Sequence, residues 1–140
     1  MPWYVYALLS AVFAAAVAIL GKIGVANINS NLATAIRTVV ILIFAWGIVF
    51  AQGTYKHIGS IPKNTIIFLV LSGIATGLSW LFYFRALQLG TASQVAPIDK
   101  FSLVLTIIFA LIFLKEKVTV SLIGGVILIT IGIFLVLFNK

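Results

Sequence analysis

Residues 80–117, WLFYFRALQLGTASQVAPIDKFSLVLTIIFALIFLKEK, decide the fold. One apolar helix closes on Arg85 and Gln88, the chain turns at Gly90-Thr91, and a second apolar helix begins. The second carries Pro97, Asp99 and Lys100 just inside its start and ends on Lys115-Glu116-Lys117. Two long apolar runs joined by a short polar turn read as consecutive membrane spans. Asp99 is one of only two acids in a chain that is 8% charged, and it lies where an apolar run has already begun. Ionisable groups at membrane depth are costly and usually face a cavity or a partner, which makes Asp99 a functional candidate.

The rest of the chain has the same character. Of its 140 residues 64% are hydrophobic, and its mean hydropathy is +1.30. Ordinary globular chains are about half apolar and about a quarter charged. The chain therefore reads as an all-α, polytopic membrane protein, one membrane domain over residues 1–140. Its five expected spans are 3–25, 32–51, 65–89, 92–114 and 118–138. The N-terminal run lacks a basic region ahead of it and is too long for the apolar core of a signal peptide, so it is expected to stay as the first span.

Working outward from the deciding stretch, Trp80, Phe82, Tyr83 and Phe84 form a dense aromatic band at the end of span three. Trp80 and Phe84 are four residues apart and share a helix face, with Tyr83 beside them. Such a stripe serves packing or walls a substrate site, and Trp80 and Tyr83 are taken as wall candidates. Gly73 and Gly77 form a GxxxG in the same span, and Gly124 and Gly125 open the last one. Both pairs permit close helix packing, and the uncharged last span suits an outer or dimer-forming position. In span four Thr91 or Ser93 can cap the start. Pro97 removes a backbone donor and is expected to bend the helix. Asp99, Ser102 and Thr106 would form a polar stripe, with Lys100 about 100° away.

The net charge of +7 comes from nine Lys and Arg against Asp99 and Glu116. These charges are scattered through loops and helix ends, which fits contact with lipid headgroups rather than nucleic acid. With no Cys and a single histidine, His57, in a loop, neither a thiolate site nor a metal site is expected. No cofactor is expected either. Lys22 and Arg37 flank the polar turn 27–31 at similar depth. A long basic side chain there can snorkel to the headgroups, but Arg37 lies about two turns inside its span and is a binding candidate as well. Loop charges alone favour an N-terminus on the inner side. With helix-end charges included, four on one side face five on the other, so insertion in both orientations is open.

The run Arg85-Ala86-Leu87-Gln88-Leu89-Gly90, then Ala92-Ser93, Ala96-Pro97, Leu114-Lys115-Glu116-Lys117 and Gly124-Gly125, resembles the EamA branch of the drug/metabolite transporter superfamily. Pro97-Ile98-Asp99-Lys100 further resembles short, single-repeat members. The resemblance implies one five-helix repeat where full-length members have two of opposite orientation. It therefore implies a homodimer, antiparallel, with ten spans, in which the site lies at the repeat interface. Glu116 would be structural. The chain departs from the four-helix multidrug relatives, which carry an acid in their first helix; span one here has none, which argues against drug-cation export by that route.

Asp99 can pair permanently with Arg37, Arg85 or Lys100, bind a cation or amine, or take up and release a proton. The four basic groups Lys22, Arg37, Arg85 and Lys100 outnumber it, and a cavity lined by several of them would favour an anionic or zwitterionic solute. The expected function is secondary transport of small polar metabolites by alternating access, in the plasma membrane of a bacterium or archaeon. A flippase for lipid phosphates or lipid-linked substrates, or a non-transporting membrane subunit, are the alternatives. An enzyme is not expected, because Asp99 with Ser102 makes no base–nucleophile pair and no span holds a histidine. A channel would need a filter or gate motif that the sequence lacks.

Overall fold

The computed structural model describes residues 2–138. Among them, five helical segments are long and apolar enough to cross a membrane: Trp3–Gly24, Ser30–Gln52, Lys63–Leu89, Ala92–Leu114 and Val120–Leu137. At 1.5 Å per residue, 22 residues rise about 33 Å, enough for a hydrocarbon core of about 30 Å. The all-α, five-span expectation is met, with span ends within three residues of those read from the sequence.

Local sequence sets the ends. Helix α1 (Trp3–Gly24) starts directly after Pro2, whose carbonyl accepts the Val5 N–H at 3.1 Å. Helix α2 (Ser30–Gln52) is capped by Asn29, whose Oδ1 accepts from the N–H groups of Asn31 and Leu32 at 2.8 and 3.4 Å. That cap starts the helix two residues ahead of the expected Leu32, because it satisfies amides that otherwise lack partners. At the far end Gly53 adopts φ +69°, a left-handed conformation that costs glycine little. A short 3-10 helix, Thr54–Ser60, follows where a plain loop was expected. The Phe50 ring bridges Trp46 and Tyr55 at 5.6 and 5.5 Å between centroids, tying this short helix to the end of α2. Helix α3 spans Lys63–Leu89.

The fourth span differs most from expectation. It is divided into α4 (Ala92–Asp99) and α5 (Phe101–Phe109), followed by a π-helical turn, Ala110–Leu114. Pro97 cannot donate to the carbonyl four residues back, and the next turn tightens: Lys100 N–H bonds Pro97 O at 3.1 Å and Leu103 N–H bonds Lys100 O at 2.9 Å. The regular helix is therefore interrupted at Lys100, three residues beyond the proline. The π turn ends on Lys115 at φ +54°, uncommon for a side chain other than glycine. Helix α6 (Val120–Leu137) is capped by Thr119, whose Oγ1 accepts from Leu122 N–H at 3.3 Å.

The helices form two compact units. One comprises residues 19–89: the end of α1, all of α2, the 3-10 helix and α3. Its core is the α2–α3 contact, and Val25, Ala33, Phe84 and Leu87 are its buried apolar side chains. The other comprises the described residues before 19 and after 89, in which α4 and α5 pack on α6 and Ile133 is buried. Most large apolar side chains on the helices remain exposed, as suits a surface solvated by lipid.

A cation between two rings at the α2–α3 contact

The first unit brings Arg37, Trp80 and Phe84 together. Ser30, Ala33, Thr34 and Arg37 follow at i, i+3, i+4 and i+7 and share one face of α2. The first three are small and buried, which allows a close approach to α3. Thr34 and Thr38 return their hydroxyls to carbonyls of their own helix, Ser30 O at 3.0 Å and Thr34 O at 2.8 Å. Arg37 then meets Trp80 and Phe84, one turn apart on α3. Its Cζ lies 4.7 Å from the Trp80 ring centroid and 4.5 Å from that of Phe84. Each such cation–π contact contributes about 0.5–2 kcal/mol, more where water is excluded. The Nη1 atom of Arg37 is buried and has no hydrogen-bond partner among the described residues. Arg37 sits seven residues into α2, about 10 Å along its axis.

Phe84 is the pivot of this cluster. It is 1% exposed, and its edge meets Gly21 of α1. A Cβ added at Gly21 would fall 3.1 Å from two Phe84 ring atoms and 3.4 Å from a Leu87 methyl. Glycine is needed here for close approach, whereas Gly24 has open space around it. Tyr83 stands edge-on to Phe84 at 5.9 Å between centroids. Of the wall candidates, Trp80 lies against the cation directly. Phe84 was read only as sharing the Trp80 face; its i+4 spacing is the signal that marks it as the second ring.

The ends of α1 and α3 hold each other at the same level. Lys22 Nζ donates to Leu87 O at 2.6 Å, in the last turn of α3. Gln88 Nε2 donates to Val25 O at 3.2 Å and Ile28 O at 2.8 Å, just past the end of α1. The Gln88 Oε1 accepts from Arg85 Nη1 at 2.6 Å. Helix C-termini leave carbonyls without intrahelical partners, and a cation there also answers the negative end of the helix dipole. Lys22 is thus spent on a helix end rather than snorkelling, and Arg85 is exposed and bound to the amide that closes the other end.

The second unit holds the remaining candidates. Asp99 Oδ2 pairs with Lys100 Nζ at 3.6 Å, with the side chains 37% and 51% exposed. This is the adjacent-residue form of the ion pair considered from the sequence. The stripe expected from Asp99 through Ser102 to Thr106 is interrupted, because the backbone breaks at Lys100 between the first two. Ser102 is exposed, and its carbonyl accepts the Thr106 hydroxyl at 2.8 Å. Thr91 occupies the cap position of α4, but its hydroxyl bonds the Gln94 side chain at 2.9 Å instead of a backbone amide. A side chain added at Gly73, Gly77, Gly124 or Gly125 would meet no atom within 4 Å.

Comparison with known proteins agrees with this architecture. Residues 1–138 match the EamA-like transporter family. An uncharacterized transporter from the cobO 3′ region of a Sinorhizobium species is 53% identical over 133 residues, covering 95% of this chain and 94% of that protein. An uncharacterized protein of Methanocaldococcus jannaschii is 31% identical over 81 residues, 58% of this chain and 59% of its own. No solved structure matches significantly. A five-span helical membrane protein, matched by the family along nearly its whole length, belongs to the EamA-like transporter family.

Proposed function

We propose that this membrane transporter carries small polar metabolites by alternating access as an antiparallel homodimer in a bacterial or archaeal plasma membrane. Arg37 is the observation that carries the proposal. A guanidinium against two aromatic rings at membrane depth, with a buried donor that has no partner among the described residues, is suited to recognise a solute. Family membership points to transport rather than catalysis. The break at Lys100 below Pro97 supplies a flexing point in the fourth span, and Asp99, beside it, is the candidate for ion coupling. The uncovered faces at Gly73, Gly77, Gly124 and Gly125 are open to close approach by a second copy. A nearly balanced charge distribution permits that copy to be inverted.

The test is uptake of radiolabelled amino acids, hydroxy acids and keto acids into proteoliposomes containing the purified chain alone. Saturable, exchangeable uptake of at least one class, lost in Arg37→Gln, is expected. Uptake that appears only with a second, co-purified protein would make the chain a subunit. Translocation of a fluorescent phospholipid without solute uptake would make it a flippase.

A further inference from the structure

We infer that the Arg37 site binds the carboxylate of a small monoanion, in preference to a zwitterion or a phosphate dianion; this rests on the transport reading and names its substrate class. Two rings limit what can reach the cation. Trp80 and Phe84 lie against the guanidinium, its Cζ 4.7 and 4.5 Å from their centroids, and the N–H donors of a guanidinium all point outward in its plane. An edge-on guanidinium matches the plane of a carboxylate and can form short, charge-assisted hydrogen bonds with it. The buried Nη1 is the donor that such an oxygen would satisfy.

Charge count in the surrounding unit then selects among anions. Lys22 is engaged with the carbonyl of Leu87 and Arg85 with the amide of Gln88, while Lys56 and Lys63 lie past the opposite end of α2 from the Arg37 cluster. That leaves the Arg37 charge to balance one negative charge. A phosphate dianion would bring a second negative charge into a region of low dielectric without a partner, which is costly. Residues 19–89 contain no aspartate or glutamate. The ammonium of an amino acid would find no carboxylate in this unit and would stand near Arg37 as a like charge. A hydroxy acid or a simple alkyl acid carries neither burden.

Binding can be read without transport, through Trp80. In a Trp3→Phe, Trp46→Phe background, Trp80 is the sole tryptophan. Its emission is titrated in lipid nanodiscs with sodium lactate, alanine, sodium phosphate and sodium chloride at matched ionic strength. Lactate and alanine are close in shape and differ in the ammonium. Lactate is expected to give a saturable change at least about tenfold tighter than alanine or phosphate, because each of those brings one charge that finds no partner in the site. Arg37→Lys should weaken lactate by about tenfold, because a point charge replaces the planar fork. Equal or tighter binding of alanine or of phosphate would overturn the assignment, as would a saturable response to chloride or none to lactate. The discrimination among ligands is measured on the parent protein, so it stands even if an Arg37 variant misfolds. Lactate binding without uptake of any acid would leave this site standing and remove the transport proposal.

Discussion

Lys22 and Leu87, 65 residues apart, are joined by a 2.6 Å hydrogen bond from the ammonium of one to the carbonyl of the other. One residue along α3, Gln88 returns the favour by closing the end of α1. The C-terminal ends of α1 and α3 are thus tied where each would otherwise present bare carbonyls to lipid. The tie fixes α3 in register with α1, and Phe84, one turn back, is thereby set against Gly21 and under Arg37.

Breaking the tie should loosen the unit and the seat of Phe84 while leaving the Arg37 side chain itself unaltered. Lys22→Met keeps the apolar stem and removes the donor, at an expected cost of about 1–3 kcal/mol. Gln88→Leu removes three hydrogen bonds and should cost at least as much. Thermal unfolding in detergent, followed by size-exclusion chromatography, reads both. Because the two residues hold one junction, the double variant should cost less than the sum of the singles.

Gly21 and Gly24 offer a matched comparison on one helix. Gly21→Ala requires the Phe84 ring to shift by a few tenths of an ångström and should lower the melting temperature modestly, whereas Gly21→Leu should displace the ring and reduce folded yield sharply. Gly24→Ala meets nothing and should be neutral or slightly stabilising through better helix propensity. Equal effects of alanine at the two positions would contradict the close contact.

The two rings around Arg37 should differ in what they cost when removed. Phe84 is buried, so Phe84→Ala should lose about 3–5 kcal/mol of stability by opening a cavity. Trp80 is only half-buried. Trp80→Leu should cost less stability, about 0.5–2 kcal/mol for the lost cation–π contact. It should still impair uptake, and Trp80→Phe should retain most of both.

Pro97→Ala should restore the donor for the Ser93 carbonyl and straighten the fourth span. Folded yield is expected to hold or rise, while the maximal rate of uptake falls more than the apparent affinity does. Unchanged turnover would mean that the break at Lys100 is not part of the transport cycle.

Much of this was legible in the residues. Apolar runs of span length placed all five membrane helices, since lipid leaves a chain few other ways to satisfy its backbone. The depth of Arg37 and the shared face of Trp80 and Phe84 followed from helical spacing. Their meeting did not, because it depends on how α2 packs on α3, and that is set by the small buried face of Ser30, Ala33 and Thr34. Lys22 reads as a snorkelling residue by position alone; only the carbonyl of Leu87, brought there by packing, changes its role. Gly53, Gly59 and Pro62 mark the segment around Thr54–Ser60 as a break between spans but not as a 3-10 helix, and the left-handed Lys115 carries no glycine or proline at all.

The claim that one short repeat makes a whole transporter by pairing with an inverted copy is open to a direct measurement. The chain has no native cysteine, and Asn27 and Gly59 are exposed at opposite ends of α2. Asn27→Cys and Gly59→Cys, made separately, are labelled in intact cells with a membrane-impermeant thiol reagent. Labelling of each site in about half of the molecules, with the remainder reached only after the membrane is opened, is expected of two oppositely inserted copies. Complete labelling at one site and none at the other would show a single orientation and contradict the antiparallel homodimer.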